Sequence, residues 1–280
     1  MVRVLHLLAA AACLLVSDAT AFAAISIHAR AVQPGEVVVV SVTGPDPSTP
    51  VHVRAFGHST AAYRVGDAWK AIVGIDLDVK PGAYRLTVDP GGESSELKVL
   101  PKTFRTRRLS VDEAFVTPPA SAQARITREA EMMAAAWRAS APERLWATAF
   151  VRPVPHEANS AFGTRSIFNG KPRNPHGGAD FLSPAGTPVA APAGGRVVIA
   201  QDLYYSGNTV IIDHGLGVFS MLAHLSRIDV QAGTSIEAGD RVGLVGATGR
   251  VTGPHLHWAV RINDARVDPL SLLQVLAPSR

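Results

Sequence analysis

Gly253-Pro254-His255-Leu256-His257-Trp258-Ala259-Val260-Arg261-Ile262 is the stretch around which the chain can be read. In an extended strand alternate side chains share a face, so His255 and His257 present two imidazoles to one site while Leu256 enters the opposite layer. Upstream, Pro175-His176-Gly177-Gly178-Ala179-Asp180 offers a third imidazole and a carboxylate four residues apart. Its two glycines let the backbone come close to whatever those groups hold. Zinc takes three nitrogen and oxygen ligands of this type in catalytic sites and leaves a fourth position for water. The pattern predicts a catalytic metal centre more than a structural one.

Around these motifs the second half of the chain reads as β. Segments from Ala161 to Arg165 with a turn at Asn169-Gly170, Phe181-Leu182, Pro188 to Ala191, Arg196 to Ala200, Asn208 to Asp213, Val218 to Leu222 running into His224, Arg241 to Val245 and His257 to Ile262 are expected strands. Their connections are short, so an antiparallel sheet or partly open barrel is more economical than β-α-β units. Of the ten histidines, five fall in this half between Pro175 and Trp258: His176, His214, His224, His255 and His257. His214, in Asp213-His214-Gly215, reads as part of a framework turn. Asn208 has two readings, a turn former or a side chain that orders a loop by hydrogen bonding.

The first half has another character. Glu36 to Val42, Val51 to Phe56, Trp69 to Ile75, Ala83 to Val88 and Ser95 to Leu100 alternate as strands, broken by Pro34-Gly35, Gly44-Pro45, Pro81-Gly82 and Gly91-Gly92. Short strands at such spacing predict an immunoglobulin-like β-sandwich over residues 24–100. His28, His52 and His58 lie there without partner spacing. Residues 101–150 form a connector: Thr103 to Arg108 is basic and extended, and Pro118-Pro119 forbids a helix before Ala120. A helix then spans about 121–140, with Ile126, Ala130, Met133, Ala134 and Trp137 as its packed stripe.

The 280 residues, 47% hydrophobic and 18% charged with 24 Gly and 20 Pro, suit a mainly β chain of two domains. Residues 1–23 have the features of an export signal: Arg3, a run from Val4 to Val16 that is apolar except for His6 and too short to span a bilayer, and the small-x-small end Ala21-Phe22-Ala23. The lone cysteine, Cys13, lies inside it, so the processed chain has no disulfide to form. A net charge of +4 suits contact with an anionic polymer and equally suits plain solubility. No feature points to nucleic acid, none implies a transmembrane segment once the signal is removed, and nothing sets an oligomeric state.

Three motifs, His176-Gly-Gly-Ala-Asp180, Ala223-His224-Leu225-Ser226 and Gly249-Arg-Val-Thr-Gly-Pro-His255-Leu-His257, resemble those of the lysostaphin/LytM-type zinc endopeptidases, which cleave peptide cross-links in bacterial peptidoglycan. The framework Gly186-Thr-Pro-Val189, Ala193-Gly-Gly195 and Gly207-Asn208 matches as well, and the likeness covers about Phe162 to Leu273. It implies a catalytic domain of LytM type over residues 151–280. It also implies one zinc ion held by His176, Asp180 and His257, with His224 and His255 as catalytic histidines facing the reacting water and carbonyl. Two departures stand out. Many members have a tyrosine two residues before the middle histidine, here Leu222, and an acidic residue two places after the last ligand, here Ala259. The expected activity is zinc-dependent hydrolysis of peptide bonds in peptidoglycan stem peptides or cross-links, in the periplasm or outside the cell. The alternative is a non-catalytic regulator of the same fold that binds and activates a cell-wall amidase.

Overall fold

Four consecutive valines, Val37 to Val40, are all buried, although a strand with one wet face would alternate. Val38 and Val40 enter one core and Val37 and Val39 another, so this strand lies between two layers of protein. The structure, a computed structural model, describes residues 24–44, 48–110, 113, 116–159 and 162–277, so the export signal read over residues 1–23 lies outside the described residues. The first eight strands are β1 (Ala24–Ala29), β2 (Val37–Thr43), β3 (His52–Ala55), β4 (His58–Ala61), β5 (Tyr63–Val65), β6 (Ala68–Gly74), β7 (Gly82–Asp89) and β8 (Ser94–Val99). They form two four-stranded antiparallel sheets, ordered β1-β2-β6-β5 and β4-β3-β7-β8. Val38, Val40, Val42, Val53, Leu86 and Val88 fill the space between the two sheets. All five strands expected in this region are present, joined by β1, β4 and β5.

The connector is tied to the second half of the chain. Strand β9 (Thr106–Leu109) pairs in parallel with β11 (Arg165–Phe168), which in turn pairs with β12 (Lys171–Pro172). Helix α1 (Gln123–Arg138) comes after a short 3-10 turn at Ala120–Ala122. Its packed side chains are Met132, Met133, Ala136 and Trp137, set against Ile199, Ile211 and Phe219. Met133 and Trp137 are as the periodicity predicts. Ala130 is exposed, because the stripe is rotated toward Met132 and Ala136.

The remaining strands are β10 (Ala158–Asn159), β13 (Gly178–Phe181), β14 (Pro188–Ala190), β15 (Gly195–Leu203), β16 (Gly207–Asp213), β17 (Val218–Ile228), β18 (Ser235–Ile236), β19 (Arg241–Val245), β20 (Leu256–Ile262) and β21 (Ala265–Val267), and helix α2 (Pro269–Val275) comes last. They make one ten-stranded sheet whose main path is β10-β13-β20-β17-β16-β15-β18, with antiparallel pairings throughout. The sheet is open and does not close into a barrel. The strand expected over Ala161 to Arg165 begins only at Arg165. Before it, Gly163 N and His176 N are bonded across a loop to His176 O and Thr164 O, at 2.7 and 2.9 Å.

Period-two alternation sorts β20 cleanly. Leu256, Trp258, Val260 and Ile262 are buried in the main core, leaving His257, Ala259 and Arg261 on the opposite face. That core continues into Val37, Val39 and Ile72 of the first domain. Two polar clamps reinforce the junction. Arg30 binds Glu36 at 2.8 Å and Asp268 at 2.7 Å, and Arg266 binds Asp76 and Asp78, both at 2.7 Å.

Candidate metal centre and groove

Cross-strand register brings the separated motifs together. Asp180 on β13 lies directly opposite His257 on β20, and Ala223 on β17 opposite His257 from the other side. His176 stands four residues before Asp180, its backbone locked to the Thr164 loop. The result is a triangle of polar atoms. His176 Nε2 and His257 Nδ1 are 3.0 Å apart, and they lie 3.0 and 2.9 Å from Asp180 Oδ1.

Protons alone fit this triangle badly. Two N–H groups aimed at one carboxylate oxygen would point their hydrogens at each other, whereas three lone pairs converge readily on a cation. With zinc bonds of about 2.0–2.2 Å, tetrahedral ligands stand about 3.3 Å apart, so small outward shifts admit the ion and leave one face open. The carboxyl of Asp180 is held far below its ordinary range: burial opposes ionisation, and the His176 and His257 hydrogen bonds outweigh it. Burial pushes the His257 imidazole down, toward the neutral form a metal requires.

Gly178 explains one of the two glycines. A Cβ there would lie 2.5 Å from Trp258 O and 2.7 Å from His257 Cε1, so only a hydrogen leaves room for the imidazole. At Gly177 a Cβ would meet nothing within 4 Å.

The two other motif histidines flank the triangle. His255 and His224 rings are 4.8 Å apart, and the His224 ring is 5.9 Å from that of His257. His224 Nδ1–H donates to Thr248 O at 3.0 Å and His255 Nδ1–H to Gly253 O at 2.9 Å, since a carbonyl can only accept. Each therefore keeps the lone pair on Nε2, and that atom of His255 lies 3.9 Å from Asp180 Oδ1. Burial, with a further contribution from the neighbouring His257, pushes His224 down to about 4, so it is neutral near pH 7.

A bulge aims His224. On β17, Leu222 pairs with Val210 and Leu225 with Asn208, so three steps on one strand match two on the other. His224 has φ of 66°, a left-handed conformation that histidine tolerates better than most residues. The extra residue lets Leu222 and Leu225 both enter the core while His224 turns outward. Asn208 anchors the bulge by donating Nδ2–H to Leu225 O at 3.0 Å, which favours the loop-ordering reading of that residue. Leu222, fully buried, contributes nothing to the site surface.

His214 is set apart. Its Nδ1–H donates to Gly194 O at 2.8 Å, and Nε2 accepts from Ser220 Oγ at 2.9 Å, which itself accepts from Trp258 Nε1–H at 3.1 Å. This fully buried chain joins β17, β20 and the residue before β15 to the framework turn read from the sequence. His52 and His58 line a cleft of about 700 Å³ between the first domain and the end of α1, well away from the triangle.

Residues 174–269 match the model of peptidase family M23. A crystal structure described as a putative peptidase M23 from Pseudomonas aeruginosa is 37% identical, superposes with a TM-score of 0.70, and covers 86% of this chain and 95% of that one. The chain belongs to peptidase family M23. Curated family relatives include the peptidoglycan DD-endopeptidase ShyA of Vibrio cholerae, 44% identical over 96 residues, 34% of this chain and 22% of that protein. The DD-carboxypeptidase/endopeptidase Mpg of Neisseria meningitidis is 44% identical over 97 residues, 35% of this chain and 22% of that protein. This M23 chain thus spans about a fifth of the length of the curated relatives it matches.

Sequence reasoning left several contributors unassigned: Gly178 as the seat of an imidazole, the carbonyls of Thr248 and Gly253, and a groove of about 390 Å³ running from His257 beneath α1. The backbone carbonyls have no residue-type signal. The groove floor was readable, because β20 alternation puts Ala259 and Arg261 on the face of His257.

Proposed function

We propose that this chain is an exported, zinc-dependent endopeptidase that hydrolyses peptide bonds in peptidoglycan stem peptides or cross-links. The observation that carries the reading is the His176, Asp180, His257 triangle, three ligand atoms within 3.0 Å of one another with two further imidazoles alongside. Zinc held by these three side chains would supply Lewis acidity, polarising a peptide carbonyl and making water a nucleophile near neutral pH.

The chain's own residues supply the rest. His257 and Asp180 lie on paired strands, so the ligand set is preorganised by the sheet, and Gly178 fixes the ring of His257. His224, neutral and with its lone pair on Nε2, can accept a proton from the attacking water and return one to the departing amine. His255, fixed by Gly253 O, can donate to the developing oxyanion once its Nε2 has taken up a proton. The two roles could be exchanged between them. The M23 membership and the DD-endopeptidase relatives support a peptidoglycan substrate, which accords with action in the periplasm or outside the cell. No helix among the described residues is long and apolar enough to cross a membrane.

A complete ligand set with both flanking histidines supports an enzyme over an amidase-activating regulator. The test is cleavage of a purified cross-linked muropeptide dimer by the full chain, with metal content measured in parallel. Zinc-dependent conversion of dimer to monomers supports the peptidase. Stoichiometric zinc without cleavage, together with stimulation of an added amidase, would make the regulator the better reading.

A further inference from the structure

The groove beneath α1 starts at His257 and ends on a cation. Its floor is a two-strand ladder in which Ala223 pairs with His257, Met221 with Ala259 and Phe219 with Arg261. Four residue steps of strand separate His257 from Arg261, about 13 Å at 3.3 Å per residue. Helix α1 forms the roof, with Met133 and Trp137 on the lining. Both ends of the helix are clamped to the sheet. Arg125 binds Asp202 at 2.9 Å, Tyr204 N donates to Glu129, and Ser140 Oγ and Ala141 N each donate to Asp213 at 2.7 Å. The roof is therefore a fixed wall.

Arg261 stands at the far end of this groove. It is half-buried, its guanidinium lies 5.3 Å from the Trp137 ring, and its Nη1 donates to the Asp264 carbonyl at 3.1 Å. Among the described residues no carboxylate forms an ion pair with it, Asp264 and Asp76 acting only through space, whereas neighbouring Arg266 is paired to both Asp76 and Asp78. Burial lowers its pKa, with Arg266 adding to the effect, yet a guanidinium remains charged at any physiological pH. Between Arg261 and His257 on the same face is Ala259, a small apolar residue. The strand face between the two thus carries no acid of its own. Leaving a guanidinium partly desolvated without a carboxylate in contact is costly, and an anion from outside relieves that cost.

We propose that Arg261 is a specificity-determining residue that binds a substrate carboxylate in the groove between α1 and strands β17 and β20. At about 13 Å from His257, the carboxylate would be roughly three to four extended residues from the bond cleaved. The inference rests on the peptidoglycan reading, whose stem peptides carry free carboxylates on side chains and at the terminus. Met133, Met221 and Ala259 provide the apolar walls and floor for the peptide between the two ends.

The test is a binding measurement on the full chain stripped of metal, so that turnover plays no part. The probes are a stem tetrapeptide with free carboxylates and the same peptide with its carboxylates amidated, titrated by calorimetry into the wild type, Arg261→Met and Arg261→Lys. A charge-assisted hydrogen bond predicts that the wild type binds the free acid about ten- to a hundred-fold tighter than the amide. Arg261→Met should bind both at the amide's affinity, and Arg261→Lys should keep part of the preference. Circular dichroism and thermal melting confirm that the variants fold. Equal affinities in the wild type, or an undiminished preference in Arg261→Met, would overturn the inference. Failure of the peptidase reading looks different: the carboxylate preference would persist while the zinc-loaded chain cleaved nothing.

Discussion

Gly178 gives way to the imidazole of His257 by lacking a single methyl group, while its neighbour Gly177 faces open space. Gly178→Ala should therefore displace the ring and lower zinc occupancy at least ten-fold in metal analysis, and Gly177→Ala should leave occupancy within about two-fold, the loss of one ligand's geometry being worth at least what an orienting contact is. His257→Ala should lose zinc and hydrolysis together; stoichiometric zinc in that variant would remove His257 from the ligand set. His224→Ala should keep the metal and lose about 10² to 10⁴ in rate, the usual worth of general acid–base help. Near-normal turnover would give that role to His255 alone. The convergence of His176, Asp180, His255 and His257 was legible from spacing, because strand alternation and the His-x-x-x-Asp interval constrain where imidazoles and carboxylates can meet, whereas the part of His224 and the division into ligands and catalytic histidines came from the resemblance to LytM-type endopeptidases. Their tautomers were not, since Thr248 O and Gly253 O are backbone atoms brought close by tertiary packing alone.

Among the elements, β17 is the one whose sequence misleads. Regular alternation would set Leu222 and His224 on one face, yet Leu222 is in the core and His224 at the site, because the bulge inserts a residue between them. Nothing local announces a bulge; it is fixed by pairing with β16 and by Asn208 bonding Leu225 O. The helix stripe is a similar case, where Met133 and Trp137 keep the period but the sheet selects Met132 and Ala136 over Ala130. Beside the bulge, the buried chain from Trp258 through Ser220 to His214 makes a pH-dependent contribution to stability. Burial pushes His214 from 6.5 down to about 4, so the unfolded chain takes up the proton first as pH falls. The stabilisation is whole above pH 6.5 and is lost between 6.5 and about 4, up to about 3 kcal/mol at 1.36 kcal/mol per pH unit. Denaturant unfolding of the wild type and His214→Asn across pH 4–8 should show the difference between their stabilities shrinking toward acid. A constant difference would contradict the assignment.

At the scale of the molecule, two cores share one strand. Val37 and Val39 face the catalytic sheet while Val38 and Val40 face the partner sheet, which accounts for an unbroken valine run. The run identified a strand in the sequence, but its second buried face depended on a domain contact that no local pattern encodes. Arg30 spans the junction to Glu36 and Asp268, whose side chains are only 3% and 6% exposed. Arg30→Ala leaves these carboxylates buried with Lys102 as the remaining cation and should cost about 3 kcal/mol, the scale for breaking a buried pair. Calorimetry should show the two domains melting in one transition in the wild type; separate transitions would refute their energetic coupling. Zinc content of Arg30→Ala should be unchanged, because the triangle lies across the sheet from this junction.

The central claim is that the His176, Asp180, His257 centre hydrolyses peptide bonds of the cell wall. Mass spectrometry of the soluble fragments released from purified peptidoglycan, with zinc and with a chelator, tests it most directly. The account predicts new amino termini that appear with zinc, vanish with the chelator and are absent for His257→Ala, and their masses identify the bond cleaved. Wild-type protein carrying one zinc per chain and releasing no new amino termini would contradict it.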